Sequence, residues 1–104
     1  MNIPTDVSDD LIEELCGNIR VKLTEKSEAE IKGLVLAAYH DMSIRGVRVI
    51  SEDDSLTAQA VRLYCKAHYG YDKDTERFNE AYQSLADSMS LSKEYGKGGE
   101  EDGA

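Results

Sequence analysis

Apolar and polar residues follow one another along most of this chain with the period of helices, and one stretch has too few polar positions for a surface helix. In residues 56–72, LTAQAVRLYCKAHYGYD, helical spacing puts Leu56, Ala60, Leu63 and Ala67 on one face and Val61, Tyr64, Cys65 and His68 on a second beside it. Arg62 and Lys66, four apart, leave only a narrow polar edge. The pattern predicts a central helix over about 55–70 on which the other elements pack. Gly70 is placed to stop it, with Tyr71 folding back over that end.

Three amphipathic patterns surround this rod. Ser8 or Asp9 caps a first helix with Leu11, Ile12, Leu15 and Cys16 on one side, while Asp9, Asp10, Glu13 and Glu14 favour its N-terminal dipole. Gly17 weakens that helix, and residues 19–24 read as irregular. Ser27-Glu28-Ala29-Glu30 has the form of a capping box, which predicts a second helix starting there. Its stripe is Ile31, Leu34, Val35, Ala38 and Met42, and Gly46 marks its end. Val47-Arg48-Val49-Ile50 reads as an extended piece, and Ser51-Glu52-Asp53-Asp54-Ser55 as a turn that caps the central helix through Asp54 or Ser55. A last helix opens at Asp72-Lys73-Asp74 and repeats the template with Phe78, Ala81, Tyr82, Leu85 and Met89, its end pinned by Leu91 and Tyr95.

The predicted fold class is therefore all-α, a small bundle of four helices around the central apolar one, with an extended connector at 47–54. Residues 1–95 form a single domain. Residues 96–104, GKGGEEDGA, carry too little apolar surface to fold by themselves and are expected to be a mobile acidic tail.

Composition narrows the function more than it adds to the fold. With 21 acidic against 12 basic residues, the formal net charge is −9. A protein that grips nucleic acid gains affinity by neutralising phosphates with Lys and Arg, so tight DNA binding is not expected. No window approaches the roughly 20 apolar residues of a membrane span. The N-terminal MNIPTDVSDD has neither the basic nor the apolar part of a signal peptide, so the expectation is a protein made in the cytosol. Cys16 and Cys65, 49 positions apart inside helical patterns, read as reduced packing residues.

Candidate chemistry is sparse. His40 and His68 lie on different predicted helices, and HExxH, Gly-rich phosphate loops, GxSxG and EF-hand spacings are missing from the sequence. Cys65 and His68 share a helix face, but a zinc site takes three or four ligands; the reading is no metal, no cofactor and no enzyme. Interfaces are the better prospect. Tyr64, Tyr69, Tyr71, Tyr82 and Phe78 gather around the junction of the last two helices, where large rings fill volume and half-buried tyrosines suit a partner surface. Val47, Val49 and Ile50, with Arg48 between them, sit where periodicity does not tie them to the core. Val47, Arg48, Val49, Ile50, Tyr69 and Tyr71 are the candidate interface.

The order of these pieces resembles a known family. The end of the second helix, SIRGVRVISEDDSL, followed by AVRLYCKAHYGYDKDTERFNEAYQSLADSMSLSKEY, is similar to phage head-tail connector proteins, also called phage DNA-packaging proteins, of prophages in Gram-positive bacteria. The resemblance covers residues 28–95. Its signature is residues 60–72 followed by Arg77, Phe78, Tyr82, Leu85 and the Leu91-Ser92 stop. It implies a structural virion protein without enzyme activity, assembled in the host cytoplasm as a ring, a dodecamer, under the portal. Its partners would be copies of itself, the portal and tail-side completion proteins, with DNA passing through the prolonged channel. A channel that lets duplex slide needs few cationic contacts, so Glu52, Asp53 and Asp54, or the acidic first helix, are the candidate channel lining. Two other readings use the same residues. One is a helix-turn-helix regulator built on Arg45, Arg48, Arg62 and Lys66; the other is an acidic DNA mimic that inhibits a DNA-binding enzyme.

Overall fold

In the computed structural model, which describes residues 3–69 and 74–96, the chain forms four α-helices and no strand among the described residues. They are α1 (Asp9–Ile19), α2 (Glu25–Arg45), α3 (Ser55–Tyr69) and α4 (Thr75–Leu91). No helix among them is long and apolar enough to cross a membrane. The expectations for Gly70, Tyr71 and the 97–104 tail lie outside the described residues.

Side-chain caps mark where α1, α2 and α3 begin. Ser8 accepts from the amide of Leu11 and starts α1. The capping box of α2 lies three residues earlier than Ser27-Glu28-Ala29-Glu30 suggests: the Thr24 hydroxyl accepts from the Ser27 amide at 3.1 Å, and the Ser27 hydroxyl accepts from the Thr24 amide at 2.8 Å. Ser27 is thus the reciprocal partner in the box, not its first residue. Its hydroxyl also donates to the Lys22 carbonyl at 2.7 Å, which fastens the preceding turn to the helix. α2 ends at Gly46, whose φ of 109° is a left-handed conformation that favours glycine. Asp54 caps α3, its Oδ2 accepting from the amides of Leu56 and Thr57.

The core is shared between two helices. α3 packs on all three others, as expected of a central rod, but so does α2, and α2 supplies the bulkier buried side chains: Ile31, Val35, Tyr39 and Met42. The interior face of α3 is a single stripe of Thr57, Ala60, Val61 and Cys65. Leu63 and Tyr64 flank that stripe half-buried, Leu56 is about two-thirds covered and His68 is exposed. The two adjoining apolar faces of the sequence are one buried face with partly covered shoulders. On α4 the buried set is Tyr82, Ala86, Met89 and Ser90, with Phe78 and Leu85 half-buried and Ala81 turned outward. Leu91, expected to pin the end of α4, is 72% exposed.

Tyr95 does pin that end, by hydrogen bonds. After α4 the chain turns on Ser92, whose hydroxyl accepts from the Tyr95 amide, and lays Tyr95 and Gly96 against the connector. The Tyr95 carbonyl accepts from the amides of both Arg48 and Val49, at 2.6 and 3.1 Å, and Val47 and Gly96 form an antiparallel bridge. The Tyr95 hydroxyl donates to Asp54 Oδ1 at 2.8 Å. A Cβ on Gly96 would overlap the carbonyl of Ser90, so only glycine fits there.

Candidate functional site

The connector divides its side chains between core and surface. Val47 is fully buried and Ile50 is 7% exposed, so these two candidate interface residues belong to the subunit's own core. The reason is local: the Val47 amide donates to the Met42 carbonyl at 2.9 Å, which turns its side chain back against the helix that has just ended. Arg48 is exposed and Val49 is 46% exposed, so the outward part of the segment is this middle pair.

The acidic run is equally divided. Glu52 accepts from the Ser8 amide at 2.9 Å and ties the connector to the start of α1. Both carboxylate oxygens of Asp54 are engaged, by the cap of α3 and by Tyr95. Burial opposes the charge of Asp54, but hydrogen bonds from Thr57, Tyr95 and Leu56 outweigh it and hold the carboxyl below its ordinary pKa of 3.8. Glu52 and Asp54 are therefore structural ties, and of the three proposed channel residues Asp53 is exposed while the other two are half-buried. The larger exposed acidic surface is on α1, at Asp9, Asp10 and Glu13.

A polar network joins α2 to α4. Asp41 Oδ2 accepts from the Tyr82 hydroxyl at 2.6 Å and from Arg45 Nε at 2.8 Å, and Arg45 Nη1 reaches Asp87 at 2.9 Å. The Arg45 guanidinium also lies over the Tyr82 ring, 5.7 Å from its centre, and Tyr64 meets that ring edge-on at 5.0 Å. The expected tyrosine cluster is real for Tyr64 and Tyr82; Tyr82 is buried, whereas Tyr64, Tyr69 and Phe78 are half-buried. Burial and the bond to Asp41 push the Tyr82 hydroxyl's pKa well above 10.0. Tyr39, a buried ring that the sequence stripe passed over, has a hydroxyl without a hydrogen-bond partner among the described residues. Burial pushes its pKa up to about 12, with Glu52 and Cys65 adding to the effect.

Reactive groups do not converge. Among the described residues no group of three or more His, Cys, Asp and Glu is placed to hold a metal ion. His68 stacks on Tyr64 at 4.2 Å, and Cys16 and Cys65 are both buried and unpaired. Burial alone pushes the Cys65 thiol up to about 12. Arg62, required by the helix-turn-helix reading, bonds Glu14 at 3.3 Å and Gln59 at 3.2 Å, and Arg45 is held between two carboxylates.

The surface stands out at the two ends of the bundle. Where α2 and α4 finish, Ile44 is 82% exposed and Leu91 72%, flanking the Arg45 to Asp87 ion pair: Ile44 immediately precedes Arg45, and Leu91 is one turn beyond Asp87. Val49 lies on the connector at this same end. At the other end, Leu23 in the α1–α2 turn is 48% exposed and Tyr69 closes α3 half-buried. Ile44 and Leu23 were missed from the sequence. Ile44 has a readable signal, since it lies about 200° around the helix from Met42 and so opposite the stripe.

The fold thus defines a small four-helix domain whose exposed apolar side chains collect at its ends. No family model, curated protein or solved structure matches this chain.

Proposed function

We propose that this chain is a structural head-tail connector that assembles end to end into a ring under a portal and prolongs the DNA channel. The observation that carries the reading is the exposed apolar end formed by Ile44, Val49 and Leu91, opposite an end that presents Leu23 and Tyr69. Exposed leucine and isoleucine side chains on a small, highly charged protein are suited to burial against another surface. Different surfaces at the two ends give a heterologous contact, which generates a ring when its rotation closes. The order of elements over residues 28–95, described above for its likeness to phage connector proteins, supports the same class. In this assembly the acids of α1, Asp9, Asp10 and Glu13, face the channel, where negative charge keeps duplex DNA from adhering.

The test is the mass of the particle in solution. Light scattering at high protein concentration, with and without a portal ring, should give a closed multimer that appears as rings in negative stain. Ile44→Glu and Leu91→Glu should abolish it while leaving the unfolding midpoint unchanged, because exposed positions tolerate substitution. A monomer under both conditions would exclude the reading.

A further inference from the structure

A cleft of about 360 Å³ opens between the α1–α2 turn and the end of α3, lined among others by Val21, Lys22, Thr24, Lys26, Glu30 and Tyr69. Lys22 and Lys26 are both exposed and set two positive charges against one negative in the lining of the cleft, on a chain of net charge −9. Glu30 is the single acid among those lining residues. The most acidic short stretch after α4 is Glu100-Glu101-Asp102, which with Lys97 supplies all the charge of residues 97–104.

The backbone of that stretch is too short to span the whole length of its own subunit's α2. Gly96 bridges Val47, just past the C-terminal end of α2, whereas the cleft wraps the N-terminal end of the same helix. The 21 residues of α2 separate the two points by roughly 31 Å at 1.5 Å per residue. Six residues from Gly96 to Asp102 span at most about 22 Å when fully extended, and Glu100 at most about 14 Å. The point of departure lies beside Ile44, Val49 and Leu91, the end that meets the opposite end of the next copy in the assembly above.

We propose that the acidic segment 100–102 of one copy binds the Lys22 and Lys26 cleft of the next, so that each subunit gives one tail and receives one. The proposal rests on end-to-end assembly for its biological setting, and its chemistry stands separately. Exposed carboxylate-lysine pairs are individually weak and screened by salt. In a closed ring the apolar end contact holds each tail near its cleft, and effective concentration makes the weak contact count.

The test uses full-length 15N-labelled protein and a synthetic peptide of residues 96–104. Peptide addition should shift the amide signals of Lys22, Lys26 and Tyr69, and a peptide carrying Glu100→Gln, Glu101→Gln and Asp102→Asn should bind at least about fivefold more weakly. The altered peptide leaves the protein untouched, so folding is not in question; Lys22→Glu with Lys26→Glu gives the matching loss from the protein side. Carbodiimide cross-linking of mixed 14N and 15N protein should join Lys22 or Lys26 to Glu100 or Glu101 in pairs of unlike isotope. Equal binding of both peptides, shifts elsewhere on the surface, or cross-links only between like isotopes would overturn the proposal. Rings without peptide binding would sink the tail contact alone, and peptide binding without rings would sink the assembly alone.

Discussion

The Tyr82 hydroxyl donates to the Asp41 carboxylate at 2.6 Å, and through that bond α4 is held to α2 by a charge-assisted contact at the edge of the core. Arg45 completes the arrangement by binding the same oxygen, so the carboxylate is paired twice. Burial opposes ionisation of Asp41, but the bonds from Tyr82 and Arg45 outweigh it and hold its pKa below 3.8.

Replacing Tyr82 with Phe should therefore cost about 1.5–3 kcal/mol, the range for hydrogen bonds to charged groups. Because the folded Asp41 pKa is depressed, its contribution is complete above 3.8 and is lost as pH falls through the folded value. Because the Tyr82 pKa is raised, its contribution is complete below 10.0 and is lost as pH rises through the folded value. Urea titrations should show a difference between wild type and Tyr82→Phe that is flat at neutral pH and shrinks in acid.

The same substitution at Tyr39 should act in the opposite direction. Its buried hydroxyl has no partner among the described residues, so Tyr39→Phe removes a desolvated polar group and keeps the ring. The expected result is unchanged stability or a gain of up to about 1 kcal/mol, read as a rise in the thermal midpoint.

Asp54 serves two partners, and substitutions can separate them. Asp54→Ala loses the cap of α3 together with the Tyr95 bond and should cost about 2 kcal/mol, whereas Tyr95→Phe should cost about 1 kcal/mol. Asp54→Asn, which keeps the capping oxygen, should fall nearer to wild type. Chemical denaturation of the three variants checks the order.

Gly96→Ala should open the clasp between the chain after α4 and the connector, because the added methyl meets the backbone of Ser90, which has no flexible end to move aside. Hydrogen exchange should then show faster exchange at the amides of Arg48 and Val49, which donate to Tyr95, with little change in the middle of α2.

The fold was legible where the local signals were strong. Gly46 marks a helix boundary by its own chemistry, Ser8 and Asp54 are the caps where the sequence allowed Ser8 or Asp9 and Asp54 or Ser55, and the Ile31, Val35, Ala38 and Met42 stripe faces inward as its period requires. Thr24 was missed as a cap because the capping-box rule asks for Glu or Gln three residues on and Ser27 stands there; the Ser27 hydroxyl takes that role and also bonds the Lys22 carbonyl, which no spacing encodes. Tyr39 was within reach, four residues after Val35. Ala81 and Ala86 exchange places relative to the expectation because a small apolar residue fits either side of a helix, and the neighbours decide. The candidate site was less legible. Val47 and Ile50 are drawn inward by a helix-end turn and by pairing with Tyr95, 45 or more positions away in sequence, and Glu52 and Asp54 are occupied by partners just as distant.

The clasp has a consequence for the order of events during synthesis. The amides of Arg48 and Val49 donate to the Tyr95 carbonyl, so in a chain emerging from the ribosome these two bonds form only after α4 and the turn after it have left the exit tunnel. The residues that follow α4 then seal the joint between α2 and the connector on one side and α4 on the other, and the apolar end beside that joint takes its final shape only once they are in place.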